Sequence, residues 1–222
     1  MKKAHQQFCA LARSLDVVGD RWTLLVIREL IPGSRGFRQI RANLPGMATN
    51  LLSSRLKALL AEGLVEKAER PNGKDAYALT ESGVALRESV EALVRWGGPR
   101  LLAPGSEDQM ADSRWLWVAL PSLLWEVQAP NFGAIELNVE GERLHLGPDN
   151  QGLMKLTRTA DASAVVRLDL SYHACLALFG GTKDQRVKVL GNLNAAGMGR
   201  NRAALRRWIL GLSDQIHIRQ GS

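Results

Sequence analysis

"MATNLLSSRLKALLAEGLVEKAERPNGKDAYALT", residues 47–80, decides the reading of the first half of the chain. Projected at about 100° per residue, Leu52, Leu56 and Leu59 fall on one side of a helix running from about Met47 to Glu62, with Leu60 beside them. Asn50, Ser54 and Lys57 fall opposite, and Thr49, Ser53 and Arg55 flank the apolar stripe. Gly63 supplies a C-terminal stop. Two short strand candidates follow, "LVEKAER" and "DAYALT", joined through Pro71-Asn72-Gly73-Lys74. Asn-Gly is the strongest local hairpin signal, because both residues tolerate the positive φ of a type I′ turn.

Upstream, residues 7–15 form a short helical candidate. "DRWTLLVIRELIPG" carries apolar residues at Leu24, Leu25, Ile27, Leu30 and Ile31 and is stopped by Pro32-Gly33. "GFRQIRANLPG" spaces Phe37, Ile40 and Leu44 as one face of a short helix, and its "NLPG" reads as a turn. Downstream, Thr80 can cap a further helix, "ESGVALRESVEALVRW", whose apolar side holds Ala85, Leu86, Val90 and Leu93. Helix, helix, helix, helix, hairpin, helix is the order of a winged helix-turn-helix with an extra helix at each end.

Charge follows the same division. The 222 residues carry a formal net charge of +7, which favours an anionic partner such as nucleic acid. Residues 1–103 hold 16 Lys+Arg against 10 Asp+Glu, a net of +6, whereas residues 104–222 hold 13 against 12, a net of +1. Hydrophobic residues make up 45% of the chain, enough for packed cores. The opening "MKKAHQQFCALARSLDVVGD" is interrupted by Arg13 and Asp16 and does not read as a signal peptide. No stretch approaches the ~18 apolar residues of a membrane span, so a cytoplasmic protein is expected.

"GGPRLLAPGSEDQMADS", residues 97–113, reads as a linker. Beyond it the texture changes. "RWLWVALPSLLWEVQ" is an apolar helix bent or interrupted at Pro121, and "GAIELNVEGERLHLGP" alternates about Glu140-Gly141 as a β-hairpin. "GLMKLTRT" and "AVVRLDL" are further strands; "SYHACLALFGG" and "GRNRAALRRWILGL" are helical. The expected fold class is therefore α+β: a winged helix-turn-helix over 1–98, a linker over 99–113, and a small α+β sheet domain over 114–222 with an apolar core or pocket. Trp115, Trp117, Leu124, Trp125, Phe132 and Phe179 are candidates to line such a pocket, or simply to fill the core.

In a helix-turn-helix the second helix lies in the major groove, where each base pair shows its own donor and acceptor pattern. Asn50 suits adenine, Lys57 or Arg55 suit guanine or phosphate, and Thr49, Ser53 and Ser54 suit phosphate or base edges. The hairpin brings Arg70, Asn72 and Lys74 as candidate contacts to an adjacent groove or phosphate.

These motifs carry a resemblance. "FCALARSLDVVGDRWTLLVIRELIPGSRGFRQIRANLPGMATNLLSSRLKALLAEGLVEK", then "YALTESGVAL" and "ALVRWG", resembles the HxlR family of bacterial winged-helix transcription regulators over about residues 8–98. The resemblance implies a homodimer held by the first and last helices of this domain, bound to an operator with two-fold symmetry. It implies Met47–Leu59 as recognition helix and Arg70–Lys74 as wing. It also sets Cys9 where many such regulators place a reactive cysteine, with Arg13 one turn away to favour a thiolate. "SAVVRLDLSYHACLALFGGTKDQRVKVLGNL" is similar to the sterol-carrier-protein-like domains that some members carry, implying a sheet-and-helix shell able to hold an apolar effector.

Cys175, within "HACLALF", reads as core, and His5, His145, His173 and His217 are scattered without carboxylates at metal-ligand spacing. No phosphate loop or nucleophile elbow is present, so neither enzyme activity nor a cofactor or metal is expected. The expected function is a DNA-binding transcription regulator. The alternative is a carrier or sensor of small lipid-like molecules whose winged helix serves only dimerisation.

Overall fold

The structure is a computed structural model that describes residues 4–70, 73–101, 110–158, 166–194 and 198–215. The chain divides into two compact units, Met1–Val90 and Glu91–Ser222.

The first unit holds α1 (Ala10–Val18), α2 (Thr23–Leu30), α3 (Phe37–Ala42), α4 (Thr49–Ala61), β1 (Val65–Glu69), β2 (Asp75–Leu79) and α5 (Glu81–Ala85). Helix α6 (Arg87–Leu101) begins here and runs on into the second unit, so residue 98 falls within a helix. Two of these helices start where the sequence offers a side-chain cap. The Asp20 carboxylate accepts from the backbone N–H of Trp22 (2.9 Å) and Thr23 (3.1 Å) and so opens α2. Thr80 Oγ1 accepts from Gly83 N (3.1 Å) and opens α5.

Val26, Ile27, Leu30, Ile40, Leu44, Leu52, Leu56, Leu59 and Val65 are buried and form the core. Each such side chain contributes about 1.5–3 kcal/mol on burial. The three leucines of α4 therefore fix which side of that helix faces in.

Two local expectations are corrected. The helix expected over 81–96 is broken at Leu86, whose N–H bonds back three residues to Gly83 O (3.2 Å) and so tightens the turn. Gly83 has to be glycine, because a Cβ there would lie 2.0 Å from Leu64 O. The hairpin closes through Gly73 N to Arg70 O (2.8 Å) and Arg70 N to Lys74 O (3.0 Å), with Gly73 at φ +74. That is the pattern of a longer loop ending in a left-handed glycine, in place of a two-residue turn centred on Asn72-Gly73. Pro71 and Asn72 lie outside the described residues.

In the second unit a 3-10 turn at Ser113–Trp115 leads into α7 (Leu116–Leu123). There follow β3 (Ile135–Val139), β4 (Glu142–Pro148), β5 (Met154–Thr157), β6 (Val166–Leu170), α8 (Tyr172–Gly180), α9 (Lys183–Asn192) and α10 (Arg202–Gln215). The sheet order is β5-β4-β3-β6, antiparallel at β5/β4 and β4/β3 and parallel at β3/β6. Ile135, Leu137 and Val139 alternate inward beside Val166, Leu168 and Leu170 and pack with α7, α8 and α10 residues in one core. At the β3–β4 turn Glu140 and Gly141 both have positive φ, as the sequence requires of a tight hairpin.

Helix α7 runs through Pro121, with Leu124 N still donating to Leu120 O (2.8 Å), and ends at Leu123, shortly before Glu126 takes a positive φ. Its early end corrects one pocket candidate. Trp117, Leu124 and Phe179 are buried core and Trp115 and Phe132 pack against it, but Trp125 is half exposed, with the Arg95 guanidinium 4.3 Å from its ring centroid. Helix α9 is an element the sequence reading does not assign. Its signal is a capping box in which Thr182 N donates to Gln185 Oε1 (2.8 Å) and Gln185 N to Thr182 Oγ1 (3.3 Å). Burial pushes the Cys175 thiol well up, which suits an inert core residue. No helix among the described residues is long and apolar enough to cross a membrane.

Candidate nucleic-acid interface

Helix α4 presents Thr49, Asn50, Ser54 and Lys57 to solvent, while Leu52, Leu56 and Leu59 are buried behind them. Its N-cap, Ala48, makes no side-chain hydrogen bond to the first turn. Beside that turn lies an open cleft of about 430 Å³ lined by Phe37, Arg38, Arg41, Ala42 and Thr49. Arg38 and Arg41, one turn apart on α3, are both exposed. Two cations next to a helix N-terminus suit an anionic oxygen, since the helix end is itself positive. Sequence reasoning missed both arginines. Their spacing from Phe37 and Ile40 on α3 was the available signal.

Other candidate side chains turn inward. Arg55 Nε lies 3.4 Å from the Asp20 carboxylate and Ser53 is half-buried, so Arg55 anchors α4 to the start of α2 instead of reaching outward. Arg70 Nη1 donates to Gln39 Oε1 (2.8 Å), and the same oxygen accepts from Gly36 N (3.1 Å), which joins the loop end of the hairpin to the first turn of α3. Asn72 lies outside the described residues, and Lys74 stands exposed near the hairpin tip. Lys67 Nζ donates to the Tyr77 hydroxyl (3.0 Å) and lies 4.3 Å from that ring's centroid, which stiffens the hairpin face. Arg55→Gln is accordingly expected to lower the unfolding midpoint of the first unit and to leave the salt dependence of DNA binding unchanged. A slope reduced by about one unit, the mark of a phosphate no longer neutralised, would reassign Arg55 to the interface.

A buried carboxylate holds this framework. Glu29 on α2 accepts from Arg28 Nη2 (2.8 Å), from Asn43 Nδ2 (3.0 Å) at the end of α3, and from Arg35. Arg35 in turn exchanges backbone hydrogen bonds with Tyr77 of β2, each 2.9 Å. One side chain thus ties α2, both ends of α3 and the hairpin together. Cys9, at the N-cap of α1, is exposed, and Arg13 lies 3.6 Å from Asp16.

Helix, turn, exposed polar helix and hairpin in this order find their match among known proteins. Residues 17–102 match the family described as HxlR-like helix-turn-helix. YvaP of Bacillus subtilis, an uncharacterized HTH-type transcriptional regulator, is 34% identical over 86 residues, covering 38% of this chain and 80% of that protein. The chain belongs to the HxlR-like helix-turn-helix family. The uncharacterized HTH-type transcriptional regulator Rv3095 of Mycobacterium tuberculosis is 38% identical over 97 residues, 43% of this chain. The chain spans 61% of the length of that relative. The reduced form of the transcriptional regulator YodB from B. subtilis aligns at a TM-score of 0.37 with 30% identity, covering 45% of this chain and 99% of that one.

Proposed function

We propose that this chain is a transcription regulator that binds a two-fold symmetric DNA operator as a homodimer, with α4 in the major groove. The observation that carries the reading is the exposed Thr49-Asn50-Ser54-Lys57 face of α4 in a chain of the HxlR-like family. Groove-reading helices need short amide, hydroxyl and basic side chains on the outer face, held by an apolar inner face. Arg38 and Arg41 supply phosphate contacts, and Lys74 reaches the backbone from the hairpin.

The dimer reading is supported by large apolar side chains left in solvent. Leu11 and Leu15, one turn apart on α1, are exposed, as are Leu93 and Trp96 on α6. Isolated exposed leucines need no explanation, but pairs at helical spacing on the helices at either end of residues 1–98 do. A two-fold dimer would set its recognition helices about 34–36 Å apart, one turn of DNA. The regulatory reading of the second unit, an apolar effector held in a sterol-carrier-protein-like shell, rests on resemblance, since five of the six pocket candidates belong to or pack on the core. Quenching or enhancement of tryptophan fluorescence by fatty-acyl compounds tests it.

Genomic fragments retained by the full chain are expected to share a palindromic sequence, and sedimentation is expected to give a dimer at micromolar concentration. Retained fragments with no common sequence, or a monomer both with and without DNA, would contradict the proposal.

A further inference from the structure

Helix α10 opens with a charge arrangement that its own fold does not favour. Leu205, Ile209 and Leu212 are buried, while Arg202, Ala203, Arg206 and Arg207 are exposed on the other side and Arg200 is exposed just ahead of the helix. The first turn contains no acidic residue. Among the described residues, none of these four arginines forms an ion pair.

Two physical effects oppose this layout. Arg202 and Arg206 are like charges four residues apart, which repel across one helical turn. The cluster also sits at the N-terminal, positive end of the helix dipole, where acids and not bases are stabilised. Packing does not require it, because the arginines stand on the solvent side. Local choices that run against local physics are expected where a partner compensates them.

A polyanion relieves both effects at once. Guanidinium groups grip phosphate oxygens with two parallel hydrogen bonds, and Ala203 between them leaves no bulky side chain to hold a backbone away. The helix itself is fixed: Trp208 Nε1 donates to Gln128 O (2.9 Å) and Gln128 N to Gln215 Oε1 (3.0 Å). The occupant of matching charge is double-stranded DNA, because covalent linkage to a DNA-binding unit raises the effective concentration of phosphates available to this one.

We propose that Arg202, Arg206 and Arg207, with Arg200 beside them, form a second DNA contact that grips phosphates without reading sequence. The proposal rests on the DNA-binding reading of the first unit. It extends the footprint beyond the winged helix and assigns the second unit a share of the affinity.

The test compares the full chain with its R202Q/R206Q/R207Q variant on the selected operator and on an unrelated duplex, each across a salt series. Circular dichroism first checks that the exposed substitutions leave the fold intact. The slope of log K against log salt is expected to fall by about 2–3, at about 0.9 for each phosphate that is no longer neutralised, equally on both duplexes. The operator-to-unrelated affinity ratio should stay the same. A parent and variant with the same slope overturn the second contact alone, whereas a parent that binds no DNA at any salt concentration overturns the first reading as well. Vesicles containing phosphatidylserine provide the remaining arm: binding that the variant loses, with DNA slopes unchanged, would assign the face to a membrane surface instead.

Discussion

Glu29→Ala is expected to destabilise the first unit by about 3–5 kcal/mol, the cost of removing one partner from a buried ion pair. The Glu29 side chain is fully buried and Arg35, its partner, is 10% exposed, so the substitution leaves a cation with little water to replace the carboxylate. Asn43 loses its acceptor at the end of α3 as well. The midpoint of urea unfolding measures the loss, since a shift at constant m reports stability directly. A change under about 1 kcal/mol would mean that solvent reaches the network and that Glu29 does not organise the unit. A second variant separates charge from shape. Glu29→Leu combined with Arg35→Leu should be more stable than Glu29→Leu alone, because replacing both buried charges removes the desolvation penalty that the single change exposes.

Asn50→Ala is expected to weaken binding to the selected operator by about 1–3 kcal/mol, the worth of one bidentate base contact. Binding to an unrelated duplex should hardly change, because Asn50 carries no charge and contributes nothing to counterion release. The two leucines nearest it in the buried stripe, Leu52 and Leu56, are untouched by the substitution, so the fold should survive. Equal loss on both duplexes would place Asn50 on the backbone and not on a base edge.

The two sides of α4 were legible in the sequence because helical periodicity is a local property. Leu52, Leu56 and Leu59 are buried and Asn50, Ser54 and Lys57 exposed, as a projection at 3.6 residues per turn requires. Thr80 as a cap and the β3–β4 turn at Glu140-Gly141 were legible for the same reason. The fate of the long basic side chains was not. Arg55 finds Asp20, and Arg70 finds Gln39, across sequence separations that no local pattern encodes. A guanidinium on a flexible stem takes whichever acceptor the tertiary fold offers. Glu29 is hidden in the sequence because a single acid in an apolar helix looks like a solvated residue until Arg35 and Asn43 are brought to it. Trp125 reads as core by composition, but the end of α7 at Leu123 breaks the helical phase that would have turned it inward.

The measurement closest to the central claim is the equilibrium affinity of the full chain for its selected operator at a series of salt concentrations. A helix face and wing docked on DNA with Arg38, Arg41 and Lys74 at phosphates predict a straight fall of log K with log salt, steeper by about 0.9 for each phosphate engaged. Affinity for the operator should exceed that for unrelated DNA at every salt concentration. An affinity independent of salt, or equal for the two duplexes throughout, would contradict the account.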